Sequence, residues 1–413
     1  MKNKTKPRIF WILAAFCAVL TAVLCGCFGG GQIAELKAAY FYNTETGVLI
    51  KYPSELEFEP NELLAYENGK TKTVGYGVLD FTLPGRDLYG ELYDYKIKLA
   101  YAEYGGKLVF TEIPVYYAPC ETYALGGSVN SFVAAINDEN AYLVTIDGSG
   151  GAAAKKLFGG DINEFIDDNS PSKLSYAKIL SVSPDGRYIL YSSNRDYIKS
   201  GPAGALDIYY YDMQTGTEAK IMNFDQKEFL CWETGAPGNF LFRESGYSAA
   251  GVRVYSDIRR YSIAGAREDI FKIIGEEYRS YEMIGARYIY IIETLTPENE
   301  PKKTLVHIFD IYSEETITAS AGKYSVIWNV KLSENGEYLG FLGSYINAMG
   351  IAIPEVVTLN LETNSIAAHY EQNEGEYYVG TFFWLPDNIL GVNFQNTNEL
   401  FKDLCRLHKI NHK

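Results

Sequence analysis

The feature that most limits the fold of this chain is an internal repeat of about fifty residues. Residues 183–221 have the pattern strand, tight turn, strand, loop, strand, tight turn, strand, and the same order returns at 333–368. Predicted third strands begin at 95, 141, 207, 256, 304, 356 and 403, which gives steps of 46, 66, 49, 48, 52 and 47 residues. A unit of this size buries its apolar face against its neighbours, so the period predicts an array of similar units.

The residue types within each unit predict strands and not helices. Aromatic and β-branched residues dominate these segments, and glycine or proline interrupts them every ten or so positions. Four short antiparallel strands in each 40 to 50 residues, with turns at fixed offsets, are typical of a β-propeller blade. The predicted fold is therefore all-β, a β-propeller of four-stranded antiparallel blades.

Two tight turns mark the repeat most clearly. One contains Pro184, Asp185 and Gly186, and the other has Asn335 and Gly336 at the corresponding positions. Proline fixes its own φ, and Asp, Asn and Gly accept the backbone geometry of a tight turn. We predict a structural role for these five residues, between the first and second strands of their blades.

Residues 183–192 resemble the WD-like β-propeller repeat of the TolB family, which is also found in the propeller domains of prolyl-oligopeptidase-type enzymes. The match is strong there, fair at 333–344 and weak elsewhere, although the period covers about residues 73–413. The resemblance implies a propeller and suggests partners in a cell-envelope complex. Few residues follow the last predicted blade, so we do not expect the hydrolase domain of the enzymes or its activity.

The number of blades depends on how the ends of the chain are used. Residues 38–51 read as a hairpin, and the last unit ends at Ile410, before a fourth strand could form. We predict that 38–51 completes the last blade, which would protect an exposed sheet edge. This gives seven blades, with six or eight left open if the hairpin belongs elsewhere.

The first 27 residues have the pattern of an export signal. Residues 1–8 carry four positive charges and residues 9–24 carry none. The following Leu24-Cys25-Gly26-Cys27 resembles the bacterial lipobox, which implies cleavage after Gly26 and lipid attachment to Cys27. Cys25 is disfavoured because the bulky Leu24 precedes it. An uncleaved membrane anchor, near the lower length limit of about 17 residues, is the alternative.

These features predict three segments: a signal peptide at 1–26, a lipidated cysteine with a glycine-rich tether at 27–37, and a propeller domain at 38–413. Two or three acyl chains anchor a protein stably, whereas one does not. We expect the mature protein to be lipid-anchored to the cell membrane on its extracytoplasmic face, which is the outer surface or the periplasmic side.

Charge excludes nucleic acid as a partner. The chain has 37 basic and 52 acidic residues, and four of the basic residues lie in the predicted signal, which leaves 33 − 52 = −19. Nucleic-acid binding needs a basic surface to displace counterions from phosphates. The cysteines after Cys27 are Cys120, Cys231 and Cys405; they have no metal-type spacing, and we predict three separate buried thiols.

Several segments could carry chemistry, and for each a structural interpretation is favoured. Residues 148–153 match a loose dinucleotide pattern but read as a glycine turn, because no βαβ context surrounds them. Acidic residues 161–168 lack calcium-loop spacing and read as a solvated loop. His408 and His412 read as a solvated tail and not as zinc ligands. No G-x-S-x-G nucleophile motif occurs.

The aromatic residues are abundant, with 35 Tyr, 21 Phe and 4 Trp. Tyrosine offers an apolar face and a polar tip, which suits contacts with protein or sugar. Trp232, Trp328 and Trp384 each precede the first turn of a blade, and we assign all three to the core.

The sequence therefore predicts a non-catalytic module of the cell envelope that binds or scaffolds a protein partner, without a cofactor or metal. The partners expected are the membrane, through the lipid, and an envelope protein or a glycan. The alternative is a hydrolase acting on glycan or peptide, or a carbohydrate-binding protein, that uses the central mouth of the propeller. No catalytic motif supports that alternative.

Overall fold

The computed structural model describes residues 30–44, 46–52, 62–86, 92–111, 120–136, 140–148, 150–159, 177–196, 205–247, 253–274, 280–295, 303–347, 349–371, 373–374, 377–396 and 403–410. The structure assigns 32 elements of secondary structure within these ranges, and all of them are β-strands. The described residues contain no helix that is long and apolar enough to cross a membrane.

The strands form eight antiparallel sheets, numbered here 1 to 8; strand β1 (Gly30–Leu36) belongs to sheet 8. Sheet 1 contains β2 (Tyr40–Asn43), β3 (Val48–Lys51), β4 (Leu63–Glu67) and β5 (Lys70–Thr73). Sheet 2 contains β6 (Gly77–Arg86), β7 (Leu92–Tyr104) and β8 (Lys107–Thr111). Sheet 3 contains β9 (Cys120–Ala124), β10 (Ser131–Ile136), β11 (Asn140–Ile146) and β12 (Ala152–Gly159). Sheet 4 contains β13 (Ala177–Val182), β14 (Tyr188–Ser193), β15 (Asp207–Asp212) and β16 (Thr217–Asn223).

The remaining sheets repeat the same order of strands. Sheet 5 contains β17 (Lys227–Trp232), β18 (Asn239–Tyr247), β19 (Arg253–Ser262) and β20 (Arg267–Ile274). Sheet 6 contains β21 (Ser280–Ile284), β22 (Tyr288–Leu295), β23 (Lys303–Asp310) and β24 (Thr316–Ser320). Sheet 7 contains β25 (Val326–Leu332), β26 (Tyr338–Ile346), β27 (Ala352–Asn360) and β28 (Ile366–Glu371). Sheet 8 contains β29 (Asn373–Glu374), β30 (Tyr377–Leu385), β31 (Ile389–Asn396) and β32 (Leu404–Ile410), followed across the sheet by β1.

Two compact units divide the described residues. One, the terminal unit, takes its residues from Met1–Ala39, Thr294–Leu305 and Ala319–Lys413 and contains sheets 7 and 8. The other, the central unit, takes its residues from Tyr40–Glu293 and Val306–Thr318 and contains sheets 1 to 5. Sheet 6 has residues in both units.

The eight sheets make this an eight-bladed β-propeller, and the prediction of seven blades is wrong by one. The seven predicted third strands all fall on strands of sheets 2 to 8. The uncounted blade is sheet 1, which residues 40–73 form by themselves with the register Val48↔Ala65 between β3 and β4. Its last strand, β5, has the sequence KTKT and is mostly exposed.

The prediction that residues 38–51 complete the last blade is also wrong. Those residues do form a hairpin, with Tyr40 opposite Lys51, but β3 pairs onward with β4 of sheet 1. The strand that completes sheet 8 is β1, in which Gly30 faces Ile410 and Leu36 faces Cys405 of β32. The predicted tether at 27–37 is therefore strand from Gly30 onward, because the edge of β32 provides hydrogen-bond partners that a free tether would lack.

Strands in the middle of the blades are buried on both faces. All six residues of β31 from Ile389 to Phe394 are buried, and so are Ile189 to Ser193 of β14. Such strands need no apolar–polar alternation, because neighbouring sheets cover both of their surfaces. Trp232 and Trp384 contribute to this packing as predicted, whereas Trp328 does not: it is 37% exposed.

Sheet 2 runs in the opposite sense to sheet 3. In sheet 3 the chain passes from β9 at one edge to β12 at the other, and in sheet 2 it passes from β6 to β8. Strands β11 and β12 of sheet 3 lie beside β6 of sheet 2. The Tyr142 hydroxyl of β11 donates a hydrogen bond to the carbonyl oxygen of Pro84 in β6 at 2.7 Å. The last strand of sheet 2, β8, therefore lies beside the first strand of sheet 3, β9, and the first strand of sheet 2, β6, lies beside the last strand of sheet 3, β12.

Candidate functional site

A cavity of about 850 Å³ lies within the central unit. Sheets 1 to 4 each contribute an edge strand to its wall, namely β2, β8, β9 and β13. These edge strands meet here although β8 is the last strand of sheet 2 and β2, β9 and β13 are the first strands of their sheets. Ligand sites are usually concave surfaces of this size with apolar walls and a few polar groups.

Aromatic rings form much of the cavity wall. Phe41 and Tyr52 lie on sheet 1 with ring centroids 5.5 Å apart, and both are partly exposed, at 38% and 42%. Phe110 of β8 and Tyr123 of β9 line other parts of the wall. Aromatic faces of this kind can stack against an apolar ligand surface, and they attract cations.

Between the rings, the wall carries neutral polar side chains: Asn43, Thr46, Thr111, Thr122 and Ser181. The Asn43 side-chain oxygen accepts a hydrogen bond from the Thr46 backbone N–H at 3.0 Å, which fixes the turn between β2 and β3. The Thr46 hydroxyl is buried and has no hydrogen-bond partner among the described residues. Buried polar groups usually have a hydrogen-bond partner, so this hydroxyl is an exception among the side chains around the cavity.

The charge of the cavity is acidic. Glu121 is the one carboxylate among its lining residues, and none of those lining residues is Lys, Arg or His. The Tyr123 hydroxyl donates to Glu121 Oε2 at 2.5 Å and holds the carboxylate against the wall. Burial, with a smaller contribution from Glu121, raises the pKa of the Cys120 thiol to about 12, so this thiol stays protonated at neutral pH.

A second cavity in the central unit, of about 470 Å³, has a different character. Phe158 stacks on Tyr191 at its base with a centroid distance of 4.1 Å. The Tyr191 hydroxyl donates to Glu218, which also pairs with Arg195. Burial and the Glu218 hydrogen bond raise the pKa of Tyr191. Tyr191, Glu218 and Arg195 of this second cavity therefore bond to one another. For this reason we consider the larger cavity the better candidate site.

The two predicted turns lie where their sequence placed them, between β13 and β14 and between β25 and β26. In the first, Asp185 Oδ1 accepts hydrogen bonds from the Ser183 hydroxyl at 2.6 Å and the Arg187 N–H at 3.1 Å. Gly186 adopts a φ of 71°, which glycine tolerates best. A backbone hydrogen bond from Gly186 to the Ser183 oxygen closes the turn.

Other predicted features have mixed outcomes. Residues around Gly150 form the turn between β11 and β12. Ala152–Gly159 is a strand, whereas a dinucleotide-binding motif would need a helix at this position. Cys120, Cys231 and Cys405 are free thiols, but only Cys405 is buried as predicted; Cys120 and Cys231 are partly exposed. The solvated-tail interpretation is wrong for His408, which lies in β32 and shares a hydrogen bond with Tyr370.

Some predicted positions fall outside the described residues. These are the cleavage site Gly26, the lipid-attachment site Cys27, the acidic segment 161–168, and His412. Among the residues that the structure does describe, no group of three or more His, Cys, Asp and Glu side chains could hold a metal ion.

The cavity has no signature in the sequence. Its aromatic and hydroxyl residues come from β2, β8, β9 and β13, which are separated by up to 140 residues in the chain (41 to 181). Their spacing follows no motif. The signal that could have helped is the excess of tyrosine, but several tyrosines, such as Tyr191 and Tyr209, are fully buried, so the count alone does not locate a site.

The fold and the site together define an eight-bladed β-propeller with a polar and aromatic cavity. No protein-family model and no curated protein sequence matches the chain. Among solved structures it is similar to oligogalacturonate lyase from Vibrio parahaemolyticus, with 10% identity over 92% of this chain and 99% of that one and a TM-score of 0.46. It is also similar to TolB from Acinetobacter baumannii, with 12% identity over 82% and 81% and a TM-score of 0.31. The β-propeller domain of the Trilobed protease from Pyrococcus furiosus is similar at 11% identity over 78% and 90%, with a TM-score of 0.39.

Proposed function

We propose that this protein is a non-catalytic binding module of the cell envelope, anchored on the extracytoplasmic side of the membrane by a lipid on Cys27. The observation that carries the binding role is the cavity of about 850 Å³, with its aromatic walls and its neutral polar side chains. The anchor rests on the sequence of residues 1–27.

The side chains of the cavity favour binding over catalysis. Glycoside hydrolysis commonly uses two carboxyl groups, and the described lining contains only Glu121. The one thiol in the lining, Cys120, has a pKa of about 12, and the protonated thiol is a poor nucleophile. These features support the proposal over the hydrolase alternative.

The lining also indicates which ligands fit. Hydroxyl and amide groups between aromatic faces suit a neutral polyhydroxylated chain or an extended peptide segment. A polyanion is disfavoured, because the lining residues offer Glu121 and no cationic side chain. The ligand expected is therefore neutral or positively charged, and either an envelope glycan or a protein segment satisfies this chemistry.

Photo-crosslinking in the native cell tests the proposal. A photoreactive phenylalanine analogue replaces Tyr52 at the rim of the cavity, and the matched control replaces Tyr247, an equally exposed tyrosine at the end of β18. We expect a discrete adduct from position 52 and none from position 247. Protein and carbohydrate stains then identify the class of the adduct.

The same protein also tests the alternative. Purified wild type is incubated with cell-wall glycan and with envelope peptides, and the products are followed by mass spectrometry. Turnover that the Glu121→Gln variant abolishes would contradict the non-catalytic role. Identical adducts at positions 52 and 247 would show that the cavity is not the binding site.

A further inference from the structure

The pairing of β1 fixes one end of sheets 7 and 8 close to the predicted lipid. Gly30, the first residue of β1, lies opposite Ile410 at the last position of β32. Ile389 of β31 lies opposite Lys409, so the start of β1 is at the same end as the 386–388 turn. A backbone hydrogen bond from Ile410 to the Asn388 oxygen, 3.0 Å long, ties this end together.

Sheet 7 extends the same end. Asn388 donates a side-chain hydrogen bond to Glu337 Oε2 at 2.9 Å, which joins the 386–388 turn to the 333–337 turn. The backbone N–H of Leu361 donates to the Glu337 oxygen at 3.0 Å, so the 361–365 turn lies there too. We call these three turns and Gly30 the anchor end.

The opposite end of sheet 7 is a hairpin. Residues 347–351 connect β26 to β27, with Ile346 opposite Ala352. The Asn347 side-chain oxygen accepts hydrogen bonds from the backbone N–H groups of Met349 and Ile351, at 2.9 and 3.0 Å. Met349 is 78% exposed at its tip. The nine residues of β26 span eight steps of about 3.3 Å, so about 26 Å of strand separates this hairpin from the anchor end.

Only three peptide units join Cys27 to Gly30, and an extended chain covers at most about 3.6 Å per residue, or about 11 Å in all. We propose that the anchor end of sheets 7 and 8 faces the membrane surface and that the Met349 hairpin points away from it. This inference rests on the proposed function, because it requires the lipid on Cys27.

The charge of the anchor end agrees with anchoring by lipid and not by charge. Its exposed acidic side chains are Glu334, Glu337, Glu362 and Asp387. Lys409 lies among them, with its ammonium group bonded to the Asp387 backbone oxygen. An anionic membrane attracts clusters of Lys and Arg, and this end has the opposite character. Without the acyl chains, the surface has no attraction of its own for such a membrane.

Energy transfer to a labelled bilayer tests the orientation. Cys120, Cys231 and Cys405 are replaced by Ala in the lipidated protein, and a donor dye is attached to Glu362→Cys at the anchor end or to Met349→Cys at the hairpin. The protein is reconstituted into phosphatidylcholine vesicles that contain an acceptor dye on the headgroups. We expect transfer from position 362 to be several-fold more efficient than from position 349.

Each result decides between the two proposals. Acylated protein with equal transfer from both positions, or with stronger transfer from position 349, overturns the orientation and leaves the anchor intact. Protein whose mass shows no acyl chains and that stays off the vesicles overturns the anchor and the orientation together. Circular dichroism of both labelled variants confirms that each has folded.

Discussion

At the residue scale, the blade turn shows how two different residues perform one task. Asn335 Oδ1 accepts hydrogen bonds from the Ser333 hydroxyl at 2.8 Å and the Glu337 N–H at 3.2 Å. Asp185 receives the equivalent pair in sheet 4. Because both partners are donors, the turn needs an acceptor oxygen at this position and not a negative charge.

The first prediction follows from this equivalence. Asp185→Asn keeps the acceptor oxygen, and we expect its stability to remain within about 0.5 kcal/mol of the wild type. Asp185→Ala removes the acceptor and leaves two donors without a partner, which should cost about 1–2 kcal/mol. Urea unfolding followed by tyrosine and tryptophan fluorescence measures both variants. Equal losses for Asn and Ala would show that the charge, and not the oxygen, stabilises the turn.

The residue scale also separates what the sequence could predict from what it could not. Pro184, Asp185 and Gly186 were predictable because a tight turn is a local structure, whose geometry depends on adjacent residues. Phe41, Thr46 and Tyr123 were not predictable as neighbours of one cavity. Their proximity depends on the packing of four sheets and on the reversed direction of sheet 2, and no local pattern encodes either.

At the element scale, β1 is a strand that the sequence did not predict. The sequence GGQIAEL offers three apolar side chains, and its glycines favour a flexible reading. Its pairing with β32 depends on an edge that exists only when the last sheet has formed. The salt bridge between Arg406 and Glu35, 3.1 Å long, adds a contact between the two strands.

A cross-strand disulfide provides the second prediction. Leu36 lies directly opposite the natural Cys405. Opposed Cα atoms in an antiparallel pair are about 4.5–5.5 Å apart, within the range that a disulfide spans. We therefore expect Leu36→Cys to form a disulfide with Cys405 during oxidative refolding, detected as a loss of two titratable thiols.

Glu35→Cys is the matched control for this experiment, because residue 35 lies opposite Arg406 and points to the other face. This variant should retain its new thiol. If Leu36→Cys also retained its thiol, the pairing of β1 with the edge of β32 would be contradicted.

The third prediction concerns His369, a partly buried histidine of β28. Burial, with a smaller contribution from His408, lowers the pKa of His369 to about 4, and its Nε2 lies 2.7 Å from the Thr358 hydroxyl oxygen. Its folded pKa is below the unfolded value of about 6.5. The neutral form is therefore favoured in the folded state, and stability is complete above pH 6.5 and falls as the pH drops from 6.5 to 4.

His369→Gln tests this dependence, because glutamine can still bond to Thr358 and does not titrate. The wild type should lose up to about 3 kcal/mol more than the variant between pH 7 and pH 4. Denaturant midpoints at pH 7, 5.5 and 4 measure the difference. Parallel pH profiles for the two proteins would mean that His369 does not contribute to acid sensitivity.

At the scale of the whole molecule, the eight blades and the predicted anchor depend on different parts of the sequence. The blades arise from a repeat that extends over most of the chain, and each unit depends on its neighbours for burial. The anchor depends on a short N-terminal pattern that is independent of the fold. The proposed function needs both, since the first provides the cavity and the second places it at the envelope.

Cell fractionation gives the fourth prediction. Cys27→Ala removes the thiol that the lipobox resemblance implies is acylated, and the protein should move from the membrane fraction to the soluble fraction or remain as uncleaved precursor. Cys25→Ala is the matched control and should stay in the membrane fraction. If Cys25→Ala were the variant that left the membrane, the lipidated cysteine would be Cys25. Membrane retention of both variants would favour the uncleaved anchor.

The sequence by itself determined the all-β fold class, the period of the blades and the positions of their turns. These properties are local, because strand composition and turn chemistry act between residues that are close in the chain. Only the tertiary structure decided the number of blades, the partner of the last strand and the position of the cavity. Those properties depend on which edges remain free once the sheets have packed, and a free edge accepts any strand whose backbone can reach it.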